Sequence, residues 1–146
     1  MIATTSLDGT LRLWSRDGKI LSELSKYPSS GSYVSFSRDG RHLATSTSAY
    51  EDVGQVWDLK AKRPAGPLLR HTGSVRSIRF DSDGRRVVTA SDDGTAQVWD
   101  PFTGTRIGRP LQHMSGVMDA EFSPDGLLVV TASSDGTARV WSSDSG

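Results

Sequence analysis

Cysteine is absent from this 146-residue chain, which excludes disulfides, thiolate zinc sites and cysteine nucleophiles. Net charge is absent too: 17 lysines and arginines balance 17 aspartates and glutamates. No block of one sign runs along the chain, so an acidic or basic tail is excluded, and neither nucleic acid nor an anionic membrane is expected as a partner. No apolar run approaches the roughly 20 residues that span a bilayer. The N-terminal MIATTSLDG lacks the charged and apolar regions of a secretory leader, and with the missing cysteine this leads us to expect a cytoplasmic location. Helical periodicity is missing from every segment. The short cation clusters, Arg85-Arg86 and Lys60 to Arg63, are read as solvated surface.

What is present is repetition. SLDGTLRLWS (Ser6 to Ser15), SDDGTAQVWD (Ser91 to Asp100) and SSDGTARVWS (Ser133 to Ser142) are one phrase written three times. Trp14, Trp57, Trp99 and Trp141 recur at intervals of 43, 42 and 42 residues, and Phe36, Phe80 and Phe122 at 44 and 42. A threonine follows each phenylalanine by nine residues: Thr45, Thr89 and Thr131. Between them lie Asp39-Gly40, Asp83-Gly84 and Asp125-Gly126. A period in the low forties punctuated by glycine turns is the mark of a repeated four-stranded unit.

The copy from His71 to Gln112 shows the unit. Val75 to Phe80 is a short apolar strand, and the SDG that follows tolerates the positive φ of a tight hairpin. Arg86 to Ala90 is rich in β-branched residues. Asp93-Gly94 turns again, and Thr95 to Trp99 alternates, with Ala96 and Val98 on one face and Thr95, Gln97 and Trp99 on the other. After Pro101 to Gly104, Thr105 to Leu111 is a more polar outer strand whose Pro110 suits a sheet edge. The fold class is therefore all-β, a chain of antiparallel four-stranded meanders.

At this point the sequence resembles the WD-repeat β-propeller family. The resemblance is carried by the histidine opening a copy (His71, His113), the SDG or SPDG turn, the second-strand threonine, the DGT turn and the closing Trp-Asp. Trp57-Asp58 and Trp99-Asp100 keep that dipeptide; Trp14-Ser15 and Trp141-Ser142 replace the aspartate. The resemblance implies a buried hydrogen-bond network in each blade. It falls on Trp99, Thr89, His71 and Asp93 in the third copy and on Trp141, Thr131, His113 and Asp135 in the fourth. The first copy supplies Trp14, Thr4 and Asp8. In the second, Tyr27 stands where histidine is expected and the stretch from Thr45 to Trp57 is two residues longer. Glu51 or Asp52 is the candidate for the turn aspartate there, and the network is not expected to form.

A threonine, a histidine and an aspartate also compose a nucleophilic triad. Three features argue against catalysis: the set recurs in every unit, threonine is a poor nucleophile without a special base, and strand two lies between neighbours. His42, His71 and His113 lack ligand spacing, and His42 is read as a surface residue. No metal, no cofactor and no catalytic residue is expected.

The expected blades are 1–26 (strands two to four), 27–69, 70–112 and 113–146 (strands one to three). That makes fourteen strands and about 3.5–4 blades, an incomplete ring where a closed propeller needs about 4–8. Each unit needs a neighbour to bury its apolar faces. The chain is accordingly expected to be a piece of a longer protein or to associate with a second copy, and a homodimeric ring is the favoured form. The family resemblance further implies a protein or peptide partner on the narrow top face. The candidates there are Ser74, Arg76 and Asp92, then Gly116, Met118 and Ser134, then Ser30, Ser32 and Tyr50, and Leu7. The expected function is a non-enzymatic interaction scaffold; the alternative is a purely architectural, self-assembling unit.

Overall fold

The computed structural model describes residues 1–6, 8–26, 31–47 and 52–145, with the backbone alone for residues 25, 26, 31 and 32. Among these residues every regular element is a strand, and the all-β expectation holds. Four antiparallel sheets follow one another along the chain. Sheet 1 holds β1 (Ile2–Thr5), β2 (Thr10–Trp14) and β3 (Ile20–Lys26), in that order. Sheet 2 holds β4 (Gly31–Phe36), β5 (His42–Thr47), β6 (Val53–Asp58) and two short pieces, β7 (Arg63–Pro64) and β8 (Leu69–Arg70). Sheet 3 is β9 (Val75–Phe80), β10 (Val87–Ser91), β11 (Thr95–Asp100) and β12 (Thr105–Gln112). Sheet 4 is β13 (Val117–Phe122), β14 (Leu128–Ser133) and β15 (Ala138–Ser142).

The described residues form one strand more than the sequence suggests, because the outer strand of sheet 2 is broken. Both β7 and β8 pair with β6, but Gly66-Pro67 leaves the ladder between them, and proline has no N–H to return to it. The gap is bridged by a side chain. Gln55 Nε2 donates to Gly66 O at 2.8 Å and to Val56 O at 3.3 Å. In sheet 3 the register between β11 and β12 slips between Ala96 and Val98, and Gln97 Nε2 spans that slip, donating to Val98 O at 2.9 Å and Ile107 O at 3.1 Å.

The core lies between sheets. In β10, Val88 and Ala90 face sheet 4 together with Ala96, Val98, Ile107 and Leu111, and they pack on Val117, Ala120, Phe122, Val129 and Trp141. From the opposite face of sheet 3, Ile78, Phe80, Val87 and Trp99 pack on Tyr33, Ala44, Val56, Ala65 and Leu69 of sheet 2. Between sheets 1 and 2, Ala3, Leu11, Leu13 and Leu24 meet Val34, Phe36, Leu43, Trp57 and Leu59. Period-two alternation thus sorts each strand into a backward face carrying the tryptophan and a forward face of small aliphatic residues. The forward set recurs in register: Ala3, Leu11 and Leu13; Ala44, Gly54 and Val56; Val88, Ala96 and Val98. Burying each such valine or leucine contributes about 1.5–3 kcal/mol.

Candidate functional site

In sheet 3 four side chains form one continuous chain of hydrogen bonds. Trp99 Nε1 donates to Thr89 Oγ1 at 2.8 Å. Thr89 Oγ1 lies 2.7 Å from His71 Nε2, and His71 Nδ1 lies 2.8 Å from Asp93 Oδ2. Asp93 is an ionised, acceptor-only carboxylate, so the His71 proton sits on Nδ1 and the bare Nε2 accepts from the Thr89 hydroxyl, whose oxygen takes the indole N–H. The imidazole is then neutral, with its remaining proton on Nδ1 facing the carboxylate. Sheet 4 repeats the set: Trp141 to Thr131 at 2.8 Å, Thr131 to His113 at 2.7 Å and His113 to Asp135 at 2.9 Å. In both sheets the aspartate also holds its own turn, accepting the side chain and backbone N–H of Thr95 or Thr137 and the backbone N–H of Thr72 or Met114.

The electrostatics follow from this wiring. Burial, only partly offset by Asp93, holds the His71 pKa below the ordinary 6.5. Burial also works to raise Asp93, but the bonds from Thr95, His71 and the Thr72 N–H outweigh it and leave the pKa at about 2. The bond from Thr137 leads the set that holds Asp135 below the usual carboxylate range.

Sheets 1 and 2 carry shorter versions. Trp14 Nε1 donates to Thr4 Oγ1 at 2.8 Å, and Asp8 Oδ1 accepts from the N–H and hydroxyl of Thr10. In sheet 2, Trp57 Nε1 donates to Thr45 Oγ1 at 3.0 Å, so the first link of the network does form there. Asp52 takes the place of the turn glycine rather than the turn aspartate. Its φ is 48° where that of Gly94 is 86°, and its carbonyl accepts the His71 N–H as Gly94 O accepts that of His113. Tyr27 and Glu51 lie outside the described residues.

The threonine, histidine and aspartate are spaced as in a triad, but Thr89 is 0% exposed and Thr131 1%. A hydroxyl sealed between sheets and already accepting an indole N–H has no face left for a substrate. Among the described residues no three histidine, aspartate or glutamate side chains gather as metal ligands would.

The turn-face candidates sit where the inner strands begin. Arg76 grips Asp92 in a fork, with Nε 2.9 Å from both carboxylate oxygens and one terminal nitrogen at 2.6 Å. Ser74 O accepts the Asp92 N–H and Gly116 O accepts that of Ser134. Gly116 lies so close to Asp92 that a Cβ there would stand 3.1 Å from its carboxylate. Met118 and Ser134 are exposed. Leu7, Ser30, Tyr50 and the side chain of Ser32 lie outside the described residues.

Sequence reasoning took Arg86 for solvated surface, and the structure corrects this. Its Nε donates to the buried Asp81 at 2.9 Å. Its two terminal nitrogens reach sheet 4, to Ser143 Oγ, Asp144 Oδ1 at 2.8 Å and Gly126 O at 2.7 Å, and the guanidinium lies over the Phe122 ring. Arg79 makes a second inter-sheet tie, pairing with Asp119 at 2.9 Å and covering Tyr33 of sheet 2. His42 is half-buried, edge-on to Phe102 at 5.1 Å. A signal existed for Arg86: Asp81 and Arg86 occupy the positions held by Ser37 and His42 in one repeat and Ser123 and Leu128 in another, so both ends of the pair change together.

The family profile described as WD domain, G-beta repeat matches residues 63–100 and 104–142. The chain is 33% identical to pre-mRNA-processing factor 19 homolog 2 of Arabidopsis thaliana, over 62% of this chain and 18% of that protein. It is 30% identical to ribosome biogenesis protein YTM1 of Chaetomium globosum, over 64% and 21%, and 32% identical to human transducin beta-like protein 2, over 64% and 22%. It thus spans about a fifth of the length of these curated relatives. Among solved structures, the computationally designed Ika8 protein superposes with a TM-score of 0.85 at 25% identity, over 99% of this chain and 43% of that one. The designed Ika4 protein gives 0.84 at 24%, over 96% and 83%.

Proposed function

This chain belongs to the WD-repeat family, and from that premise we propose that it is a non-enzymatic scaffold which binds protein partners on its turn face and closes its ring with another copy of itself. The observation that carries the reading is a division of labour among polar side chains. Those with chemical potential, Thr89, His71 and Asp93, are spent on one another inside the sheets. The exposed polar and flexible ones, Arg76, Asp92, Met118 and Ser134, line up on the turn edge of sheets 3 and 4. A further relative is named retinoblastoma-binding-like protein E, a name that refers to binding another protein, and this supports the same role. Arginine and methionine are over-represented at interface cores, and methionine adapts to varied partners.

The test is capture of partners by the wild type and by an Arg76→Ala/Met118→Ala double variant that melts like the parent. The scaffold reading expects specific partners held by the wild type and lost by the variant. One observation favours the alternative, a purely architectural unit: Arg76 is already satisfied by Asp92. Capture of no specific partner by either protein would establish that alternative, and identical capture by both would make Arg76 and Met118 ordinary exposed rim.

A further inference from the structure

We propose that Asp83-Gly84, and with it Asp17-Gly18, is a site of spontaneous covalent modification, where aspartate isomerises to isoaspartate while the other Asp-Gly steps of the chain are protected. Seven Asp-Gly steps punctuate the sequence, and the hydrogen bonds of their carboxylates sort them into two classes. Asp8, Asp39, Asp93, Asp125 and Asp135 each accept the backbone N–H two residues on, from Thr10, Arg41, Thr95, Leu127 and Thr137, at 2.9–3.0 Å. Each also accepts a hydroxyl, from Thr10, Ser37, Thr95, Ser123 or Thr137, at 2.6–2.7 Å.

Asp83 and Asp17 hold neither bond, because another side chain has taken the N–H. The Arg85 N–H donates to Asp81 Oδ1 and the Lys19 N–H to Ser15 Oγ, both at 3.0 Å. Asp81 stands where Ser37 and Ser123 stand in the neighbouring repeats. Paired with Arg86, its carboxylate has no hydroxyl to offer Asp83. Asp83 is exposed and, among the described residues, makes no hydrogen bond or ion pair. Asp17 is exposed too, with the Lys19 ammonium at 3.8 Å. The glycines that follow leave room for attack: a Cβ on Gly18 would meet nothing within 4 Å, and one on Gly84 only Ser37 Cβ at 3.6 Å. Gly40 and Gly136 are equally open, so the carboxylate decides which step reacts.

The reaction consumes no reagent but water. The glycine nitrogen attacks Cγ of the aspartic acid. An N–C bond forms, the C–OH bond breaks, and the amide proton leaves with that hydroxyl as water. Water then reopens the succinimide ring at either carbonyl. Opening at the main-chain carbonyl routes the backbone through the former side chain, one methylene longer, with no change in mass or oxidation state. The carboxyl must be free to swing onto the nitrogen, and it must carry a proton for water to leave. The five capped carboxylates meet neither condition. Their bonds pin them, and hold Asp39 and Asp125 below the usual carboxylate range, through Ser37 and Ser123, and Asp8 at about 2, through Thr10. Each unit of lowering leaves about tenfold less of the acid form at neutral pH. The Asp83 turn also bears on the sheets: Gly84 N–H returns to Asp81 O, and Asp81 anchors Arg86, which reaches Gly126 of sheet 4. An added methylene there displaces the anchor.

The experiment incubates the full folded chain in warm neutral buffer, digests it and separates the peptides by liquid chromatography with mass detection, where an isoaspartyl peptide elutes apart from its parent at equal mass. Labelling by an isoaspartyl methyltransferase confirms each product. The Asp83 and Asp17 steps are expected to isomerise at least about tenfold faster than those at Asp39 and Asp125, and denaturant, by undoing every turn, should close the gap. Asp81→Ser frees the Arg85 N–H and supplies a hydroxyl, and should slow Asp83 to the rate of Asp39. Ser37→Asp with His42→Arg moves the sheet 3 pair into sheet 2 and should speed Asp39 to the rate of Asp83, a readout that stands even if Asp81→Ser fails to fold. Asp83 or Asp17 reacting no faster than Asp39, a gap that persists in denaturant, or rates that ignore both exchanges would overturn the proposal.

Discussion

Replacing Thr89 with valine keeps the shape of a fully buried side chain and deletes one hydroxyl. That oxygen receives the Trp99 N–H at 2.8 Å and meets His71 Nε2 at 2.7 Å. Both partners are enclosed: Trp99 is 4% exposed and the His71 side chain 3%. Each orphaned group costs roughly 1–3 kcal/mol, so Thr89→Val is expected to lose about 2–6 kcal/mol. At about 2–4 °C per kcal/mol for a chain near this size, the melting temperature falls by roughly 4–24 °C. Thr89→Ser is the counterpart: it keeps the hydroxyl, removes a methyl and costs about 1 kcal/mol. Thermal melts followed by circular dichroism rank the three proteins. If Thr89→Ser melts below Thr89→Val, or Thr89→Val melts with the parent, then packing rather than the polar chain secures this position and the argument fails.

Acid stability should fall in two stages. The folded His71 resists a proton that the unfolded histidine takes up near the ordinary 6.5, so stability declines as pH drops below that value. Asp8 and Asp93 titrate at about 2 instead of 3.8, so their contribution is present above the ordinary value and is lost as pH falls from about 4 to 2. A melting temperature that rises between neutral pH and pH ~5 contradicts this assignment. Val98→Asp, at a position 1% exposed, should cost more than about 4 kcal/mol and abolish a cooperative melt, while Val140→Asp at the equivalent exposed position leaves the spectrum unchanged; equal melts would refute the seam register. Arg86→Met strips the 4%-exposed Asp81 side chain of its cation and unties Ser143 and Gly126, for an expected loss of about 2–3 kcal/mol in a urea titration.

The parts of this fold written in short-range chemistry were legible in the residues. Asp-Gly turns, alternating strands and the 42-residue beat of tryptophan specify the sheets because each is a local or strictly periodic constraint. The members of the polar network could be named for the same reason, being small or rigid groups at fixed offsets. The parts missed depend on long side chains reaching backbone the sequence does not place. Gln55 and Gln97 brace slipped outer strands through carbonyls ten or eleven residues away, although the repeated Gln-Val-Trp hinted at a shared duty. Arg86 reaches groups 40 to 58 residues away from it. Asp52 looked like a substitute carboxylate, but a positive φ at the end of a lengthened loop gave it the glycine's role.

The sameness of the seams has a consequence for how such a molecule comes to have a particular size. Val98 meets its neighbour much as Val56 does, so no local contact carries a tally of how many sheets have gone before. Duplicating or deleting one 42-residue unit leaves aliphatic faces to meet at every junction, at the cost only of ties such as Arg79–Asp119 that belong to one of them. Only the circle's need to meet its own start limits the number, and growth by whole repeats is therefore the change that this architecture tolerates best.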